Sequence, residues 1–104
     1  MALPPLTPEQ RAAALAKAAE ARTARATVKR ALRDSTTTLA AVLRDGREDP
    51  VIGRMRVDAL LESMPGVGKV RAGQIMERIG IAANRRVGGL GTHQVAALED
   101  EFRA

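Results

Sequence analysis

The chain has 104 residues, a length that suits one domain plus an extension and is too short for two ordinary domains. Its 17 Lys and Arg residues against 12 Asp and Glu give a formal charge of +5, and the lack of cysteine excludes a disulfide framework and a thiolate metal site. No apolar run reaches the roughly 20 residues needed to cross a bilayer, and the N-terminus lacks the bulky apolar segment of a signal peptide. We therefore expect a soluble, cytoplasmic protein that binds an acidic partner and no membrane.

The N-terminal segment is predicted to form one long helix. Thr7 is a favourable N-cap, Pro8 suits the first turn, and Gln10 can complete a capping box. No glycine or further proline interrupts the alanine-rich stretch up to Arg33, so the helix is predicted to run from Pro8 to Arg33. Leu15 is the only large apolar residue in its first half, so that half is expected to project from the body.

The charges of this predicted helix are strongly unbalanced. Seven cations face only Glu9 and Glu20, a segment charge of +5, so few pairs along the helix can neutralise them. At about 100° per residue, five cations fall within roughly 80° of one another: Arg11, Arg22, Arg25, Lys29 and Arg33. A membrane-surface helix would need bulky apolar residues opposite the charges. The stripe therefore indicates nucleic-acid contact, with four candidate binding residues, Arg22, Arg25, Lys29 and Arg33.

Residues 1–33 are interpreted as an N-terminal extension and residues 34–104 as a compact helical domain. Its first part is predicted to contain three short helices, near Thr38–Asp45, from Asp49 or Pro50 through Ile52, and over Val57–Met64. From residue 34 to residue 63, four Arg meet six acids, a charge of −2. We expect this segment to face away from a polyanion.

A glycine-rich turn, Met64-Pro65-Gly66-Val67-Gly68, separates two predicted helices. The second of these, Lys69–Ile79, is expected to end at Gly80 and to bury four apolar residues, Val70, Ile75, Met76 and Ile79. A glycine-rich turn that opens a helix directs backbone N–H groups toward an anion. The turn therefore predicts a phosphate site, with candidate residues Gly66, Val67, Gly68, Lys69 and Arg71.

A second glycine-rich turn, Gly88-Gly89-Leu90-Gly91, follows two arginines and precedes Thr92, which is expected to cap a last helix through Phe102. Between Met64 and Gly91, five cations face only Glu77, a charge of +4. We interpret the two turns as a joint phosphate clamp. The candidate residues of the second turn are Arg85, Arg86, Gly89, Gly91 and Thr92.

Nucleotide-binding and catalytic motifs are not matched. A P-loop requires glycine where this chain has Ser63 and a hydroxyl where it has Val70, and the dinucleotide motif requires a third glycine where it has Arg71. One histidine, His93, and two serines without an evident partner offer no catalytic or metal site. We therefore expect a non-enzymatic protein with no cofactor, no metal and no small-molecule ligand.

The stretch Pro65–Arg71 together with Arg85–Gly91 resembles the helix-two-turns-helix of the actinobacterial integration host factor family. Three further stretches are similar to the same family, so the resemblance covers nearly the whole chain: Met1–Leu15, Val51–Val57 and Leu60–Met64. The resemblance implies an all-α fold in which a long N-terminal helix joins a compact helical domain with an S13-like helix-two-turns-helix motif. It also implies a nucleoid-associated protein that binds double-stranded DNA with little sequence preference, compacts or bends it, and assists phage site-specific integration.

By position, the resemblance assigns five residues to phosphate contacts: Gly66, Gly68 and Lys69 in the first turn, and Arg85 and Arg86 in the second. This chain departs from the family at two places. Gly88 stands where the family usually has a third basic residue, and Gly73 stands where a polar or basic residue is common.

Alternative functions remain open at this point. The same turn architecture also suits an RNA- or ribosome-associated protein, although the single aromatic residue argues against single-stranded RNA. A protein-interaction adaptor is a third interpretation. The expected partners are double-stranded DNA and phage integrase–DNA complexes, and a monomer is expected because no long apolar seam is left unused.

Overall fold

The computed structural model describes residues 4–103, which form helices and turns, and it confirms the predicted all-α fold. The helices are α1 (Pro8–Arg33), α2 (Leu39–Asp45), α3 (Pro50–Gly53), α4 (Val57–Ser63), α5 (Lys69–Ile79) and α6 (Thr92–Glu101). A short 3₁₀ helix, Val87–Gly89, precedes α6. Residues 1–3 and 104 lie outside the described residues. The start of the stretch Met1–Leu15, which carries part of the resemblance, therefore lies outside them too.

The long helix α1 has the predicted bounds. The Gln10 N–H donates to Thr7 Oγ1 at 3.1 Å and the Thr7 N–H donates to Gln10 Oε1 at 3.0 Å, which confirms the capping box. Residues 4–20 are exposed, and α1 joins the core only through its C-terminal half, where Val28 packs against it and Leu32 is buried. The radius of gyration is 16.0 Å, whereas a compact domain of this length has about 13 Å. The first half of α1 therefore projects from the body.

The core is aliphatic and draws on all six helices. Leu60, Leu61 and Leu98 are fully buried, and they pack with side chains from α1, α2, α3 and α5. The prediction that Val70 faces inward is wrong, because Val70 is 75% exposed while Ala72 is 1% exposed. Positions 70 and 72 differ by about 200° around a helix, so only one of them can face the core. The small side chain of Ala72 hid that position in the sequence.

Three glycines let the second turn pack closely on the corner between α2 and α3. A Cβ atom at Gly46 would lie 2.6 Å from Val87 Cγ1, one at Gly53 would lie 2.9 Å from the Gly46 carbonyl oxygen, and one at Gly88 would lie 3.2 Å from the Gly53 carbonyl oxygen. Gly88 is thus part of a tight backbone contact. A basic side chain at this position would require the Gly53 carbonyl to move.

The junction between α5 and α6 is fixed by one glutamine. Gly80 ends α5 in the left-handed conformation at φ 86°, as predicted. The prediction that Thr92 caps the last helix is wrong, since Gly91 occupies the N-cap position and Thr92 is the first helical residue. Gln94 Oε1 accepts the Gly91 N–H at 2.9 Å, and Gln94 Nε2 donates to the Gly80 carbonyl at 3.0 Å.

Within residues 4–103, no helix is both long enough and apolar enough to cross a membrane.

Candidate nucleic-acid interface

A short antiparallel pairing joins two distant segments of the chain. The Val57 N–H donates to the Arg85 carbonyl at 3.0 Å, and the Val87 N–H donates to the Met55 carbonyl at 2.9 Å. Met55, Val57 and Val87 are buried. Because side chains alternate along extended backbone, the residues between them point to solvent. The pairing therefore sets two exposed arginines opposite each other, Arg56 and Arg86.

A groove of about 440 Å³ opens beside this pairing, and we call it the basic groove. Five of its seven lining residues are cations, contributed by α1, by the segment before α4 and by the second turn: Arg25, Lys29, Arg54, Arg56 and Arg86. Arg56 forms an ion pair with Asp58 at 2.8 Å. The other four have no ion pair with another residue of the described part of the chain. The groove is therefore a concentrated positive site that suits a polyanion.

Hydrogen bonds to backbone carbonyls hold two of these arginines in place. Arg86 Nη1 donates to the Arg54 carbonyl at 2.5 Å, and Arg56 Nη2 donates to the Ala83 carbonyl at 3.1 Å. Arg56 also donates to both oxygens of Asp58, at 3.2 and 2.8 Å. An arginine that is already oriented loses less side-chain freedom when it binds an anion. The groove is thus preorganised on the side of the pairing.

Arg54 and Arg56 were missed as site residues in the sequence. Their segment, residues 34–63, has a charge of −2, and we expected it to face away from a polyanion. The structure instead places both arginines beside Arg86. A signal was present, because in Arg54-Met55-Arg56-Val57 charged and apolar residues alternate as in a half-buried strand.

The structure brings only part of the predicted site into the basic groove. Arg25, Lys29 and Arg86 line it, whereas Arg22 and Arg33 are exposed on α1 outside its lining. Arg85 folds over the second turn, where its Nη1 donates to the Gly89 carbonyl at 3.2 Å. Its Nε is buried, and no described residue accepts its hydrogen bond. The two adjacent arginines of the second turn thus have separate surroundings.

The first turn leaves the N-terminus of α5 without a capping side chain. Gly66 has φ 75°, and a Cβ atom at Gly66 or Gly68 would meet nothing within 4 Å. No side chain caps α5, so the N–H groups of its first turn are open to an external acceptor. Lys69 and Arg71 are exposed beside them. This arrangement combines helix-terminus N–H groups with two full positive charges.

Val67 is placed differently from the other candidate residues of the first turn. Its side chain is 6% exposed and belongs to the core, and its N–H donates to the Met64 carbonyl at 3.1 Å. Neither group is available to a ligand. Val67 therefore anchors the turn to the core.

The second turn uses most of its N–H groups internally. The Gly89 N–H donates to the Arg86 carbonyl at 2.9 Å, and the Gly91 N–H is held by Gln94. Thr92 is exposed in the first turn of α6. Of the three predicted residues Gly89, Gly91 and Thr92, only Thr92 presents unused polar groups at the surface. Within residues 4–103, no cluster of three His, Cys, Asp or Glu side chains could hold a metal ion.

Comparison with known proteins agrees with this architecture. Residues 32–102 match the S13-like H2TH domain family. The chain is 66% identical over 102 residues to an integration host factor from Streptomyces coelicolor, covering 98% of this chain and 95% of that protein. It is 55% identical over 102 residues to an integration host factor from Mycobacterium tuberculosis, covering 98% and 97%.

A solved structure described as sIHF bound to an 8bp palindromic DNA is similar with a TM-score of 0.81 and 60% sequence identity, covering 83% of this chain and 97% of that chain. The matched domain includes both glycine-rich turns, and the full-length relatives extend the similarity to α1. The chain therefore belongs to the actinobacterial integration host factor family.

Proposed function

We propose that this protein is a nucleoid-associated protein that binds double-stranded DNA by gripping its phosphates, with little dependence on sequence. The observation that carries the proposal is the basic groove, where four cations without an ion pair to a described residue converge from α1, the segment before α4 and the second turn. Its membership of a family with a DNA-bound structural relative supports duplex DNA as the polyanion.

Phosphate contacts explain the chemistry of the groove better than base readout. Its remaining lining residues are Met55 and Ala59, so it contains no Asn or Gln to pair with an adenine edge. Clustered Arg and Lys bind DNA mainly by displacing condensed counterions. We therefore expect similar affinity for most duplex sequences.

The start of α5 is proposed as a second phosphate contact. The bare backbone at Gly66 and Gly68 lets a phosphate approach the open N–H groups, while Lys69 and Arg71 supply charge. Thr92 is proposed to contact the backbone from the second turn. Val67 supports the phosphate contact at the start of α5 only by anchoring the first turn in the core.

The long helix α1 is proposed as an arm that extends the contact along the duplex, beyond the compact domain formed by residues 34–104. Arg25 and Lys29 act inside the basic groove, and Arg22 and Arg33 act on either side of it. Contacts on the arm and on the turns favour a bent duplex, because bending brings more phosphates within reach of the protein. Bending or compaction of nucleoid DNA by a monomer, and assistance to phage integrase–DNA complexes, are the biological roles we propose.

The proposal is tested by measuring affinity for a random-sequence duplex by fluorescence anisotropy. The double variant Arg25→Ala with Arg86→Ala removes two groove cations. The matched control, Arg30→Ala with Arg44→Ala, removes two exposed cations outside the groove and changes the net charge equally. The groove variant is expected to lose about 60-fold in affinity at 0.1 M salt relative to a reference at 1 M salt, since two phosphate contacts are lost, and the control only a few-fold.

Competition separates the DNA proposal from the RNA alternative. Unlabelled duplex DNA is expected to displace the bound probe at lower concentration than duplex RNA of the same sequence, because A-form RNA presents its phosphates in a different geometry. Displacement by RNA at the lower concentration would favour the RNA-associated function. Equal losses in the groove variant and its control would contradict the proposed site.

A further inference from the structure

A second cleft, with a volume of about 430 Å³, borders the second glycine-rich turn, and we call it the turn cleft. Arg86 lines the basic groove, whereas the next two residues, Val87 and Gly88, line the turn cleft. Its other walls come from the end of α2 and the start of α6, and the buried residue Leu43 is part of its apolar lining. The basic groove and the turn cleft therefore adjoin the same turn.

Arg47 is the one charged residue among the described residues that line the turn cleft. Its side chain is exposed and has no ion pair with another described residue. Its backbone is fixed, because the Arg47 N–H donates to the Arg44 carbonyl at 3.2 Å and the Gly46 N–H donates to the Val42 carbonyl at 2.9 Å. The end of α2 thus holds an unpaired cation at the turn cleft.

The acidic residues near Arg47 in the sequence lie outside the turn cleft. Asp45, Glu48 and Asp49 line a separate depression beside α3. Asp49 is also used within the chain, since its Oδ1 accepts the Val51 N–H at 2.9 Å. These carboxylates weaken the field of Arg47 at a distance, but they do not occupy the cleft that an anion would enter.

Gly88 leaves the turn cleft open beside Arg47. The second turn has no charged side chain between residues 88 and 91. A Cβ atom at Gly88 would lie 3.2 Å from the Gly53 carbonyl oxygen, so the tight packing of the turn disfavours any longer side chain there. Arg47 therefore supplies, from the end of α2, a positive charge that the turn itself lacks.

We propose that Arg47 and Thr92 together bind one phosphate of the DNA backbone at the turn cleft. This contact rests on the proposed function, which includes Thr92, and it adds Arg47 as a further binding residue. The exposed Thr92 also lines the cleft, so its hydroxyl and the Arg47 guanidinium can both donate to phosphate oxygens. The second turn then contributes to two neighbouring phosphate sites.

Salt-dependent anisotropy on a random duplex tests the charge of Arg47. Arg47→Ala should make the slope of log K against log salt concentration less steep by about 0.9. If the variant and the unmodified protein bind equally at 1 M salt, the variant should bind about eightfold more weakly at 0.1 M salt. Arg47→Lys should retain most of the slope, because it keeps the charge.

The matched control is Arg44→Ala. Arg44 is an exposed cation three residues earlier that lines neither the basic groove nor the turn cleft. Its removal changes the net charge equally and should alter the slope much less. Equal changes of slope in Arg44→Ala and Arg47→Ala would overturn the proposed contact, because they would reflect net charge alone.

Thiol protection tests whether DNA covers the turn cleft. The chain has no cysteine, so Arg47→Cys and Arg44→Cys each introduce a single thiol. The rate of modification by the neutral reagent iodoacetamide is measured with and without saturating duplex. Bound duplex should slow the reaction several-fold at residue 47 and little at residue 44. Equal protection at the two positions would overturn the contact.

Failure of this contact can be distinguished from failure of the proposed function. If the unmodified protein binds duplex DNA through the basic groove but Arg47→Ala behaves like Arg44→Ala, only the contact at the turn cleft is overturned. Failure of the unmodified protein to bind any duplex would overturn the proposed function and this contact with it.

Discussion

Arg54 provides the sharpest test of the basic groove, because its proposed contribution to DNA binding follows only from the structure. Its side chain is exposed and forms no ion pair with another described residue. Its carbonyl accepts the hydrogen bond from Arg86, and that carbonyl is retained when the side chain is shortened. The substitution Arg54→Ala therefore removes one groove cation and leaves both the fold and the orientation of Arg86 intact.

The expected magnitude follows from counterion release. Each phosphate contact contributes about 0.9 to the slope of log K against log salt concentration. Loss of the Arg54 contact should make the slope less steep by about 0.9. If Arg54→Ala and the unmodified protein bind equally at 1 M salt, the variant should bind about eightfold more weakly at 0.1 M salt. A larger loss would indicate that Arg54 also orients other groups.

The assay is anisotropy of a labelled random duplex titrated at four or more salt concentrations, with Arg44→Ala as the control. Arg44 is an exposed cation on α2 that lies outside the lining of the basic groove. Its removal should change the slope by much less than the removal of Arg54. If Arg44→Ala and Arg54→Ala lower the slope equally, the effect reflects net charge and the reasoning from the groove is refuted.

Four further predictions concern stability and are checked by thermal or denaturant unfolding. Gly46→Ala should lower the free energy of unfolding by about 1–3 kcal/mol, because its Cβ would lie 2.6 Å from the buried Val87 side chain; an unchanged value would contradict the tight packing of the second turn. Gly73→Ala should raise stability by about 0.5–1 kcal/mol, since its Cβ would meet no atom, and a loss would point to a packing role within the chain. Ser35→Gly should raise stability by up to about 1 kcal/mol because Ser35 has φ 59°, and destabilisation would show that its side chain matters more than this strain. Leu61→Ala should cost about 2–5 kcal/mol, because Leu61 is 0% exposed, and a cost below about 1 kcal/mol would contradict the assigned core.

The helices could be predicted from local sequence signals. The capping box at Thr7, the uninterrupted alanine-rich stretch to Arg33 and the glycine at residue 80 each act within a few residues, so α1 and α5 have the predicted bounds. The same reasoning failed at Val70. It predicted that the larger side chain of Val70 is buried, whereas the helix places the smaller Ala72 against the core.

The basic groove could not be predicted from local signals, because it depends on contacts between distant segments. The pairing of residues 55–57 with residues 85–87 places Arg56 next to Arg86, 30 positions later in the chain. The packing of Leu32 in the core then brings Arg25 and Lys29 to the same groove. The charge of the segment from residue 34 to residue 63 gave the wrong expectation, because it averages over residues that the fold separates.

The sequence also does not show which polar groups form hydrogen bonds within the protein. Arg85 and Arg86 are adjacent and looked equivalent, yet one hydrogen-bonds the second turn and the other hydrogen-bonds the Arg54 carbonyl. Likewise, Val67 is predicted from the sequence to bind phosphate together with its glycine neighbours, but its N–H donates to the Met64 carbonyl within the turn. These distinctions identify which of the predicted residues to mutate first.

The central claim is that DNA is held by phosphate contacts from the basic groove and the start of α5. Six cations without an ion pair to a described residue occupy these places: Arg25, Lys29, Arg54, Lys69, Arg71 and Arg86. The most direct test is the salt dependence of binding of the unmodified protein to a random duplex. If about six phosphates are neutralised, log K should fall against log salt with a slope near about −5. A slope near about −1 would contradict the account, because it would mean that only about one phosphate is engaged.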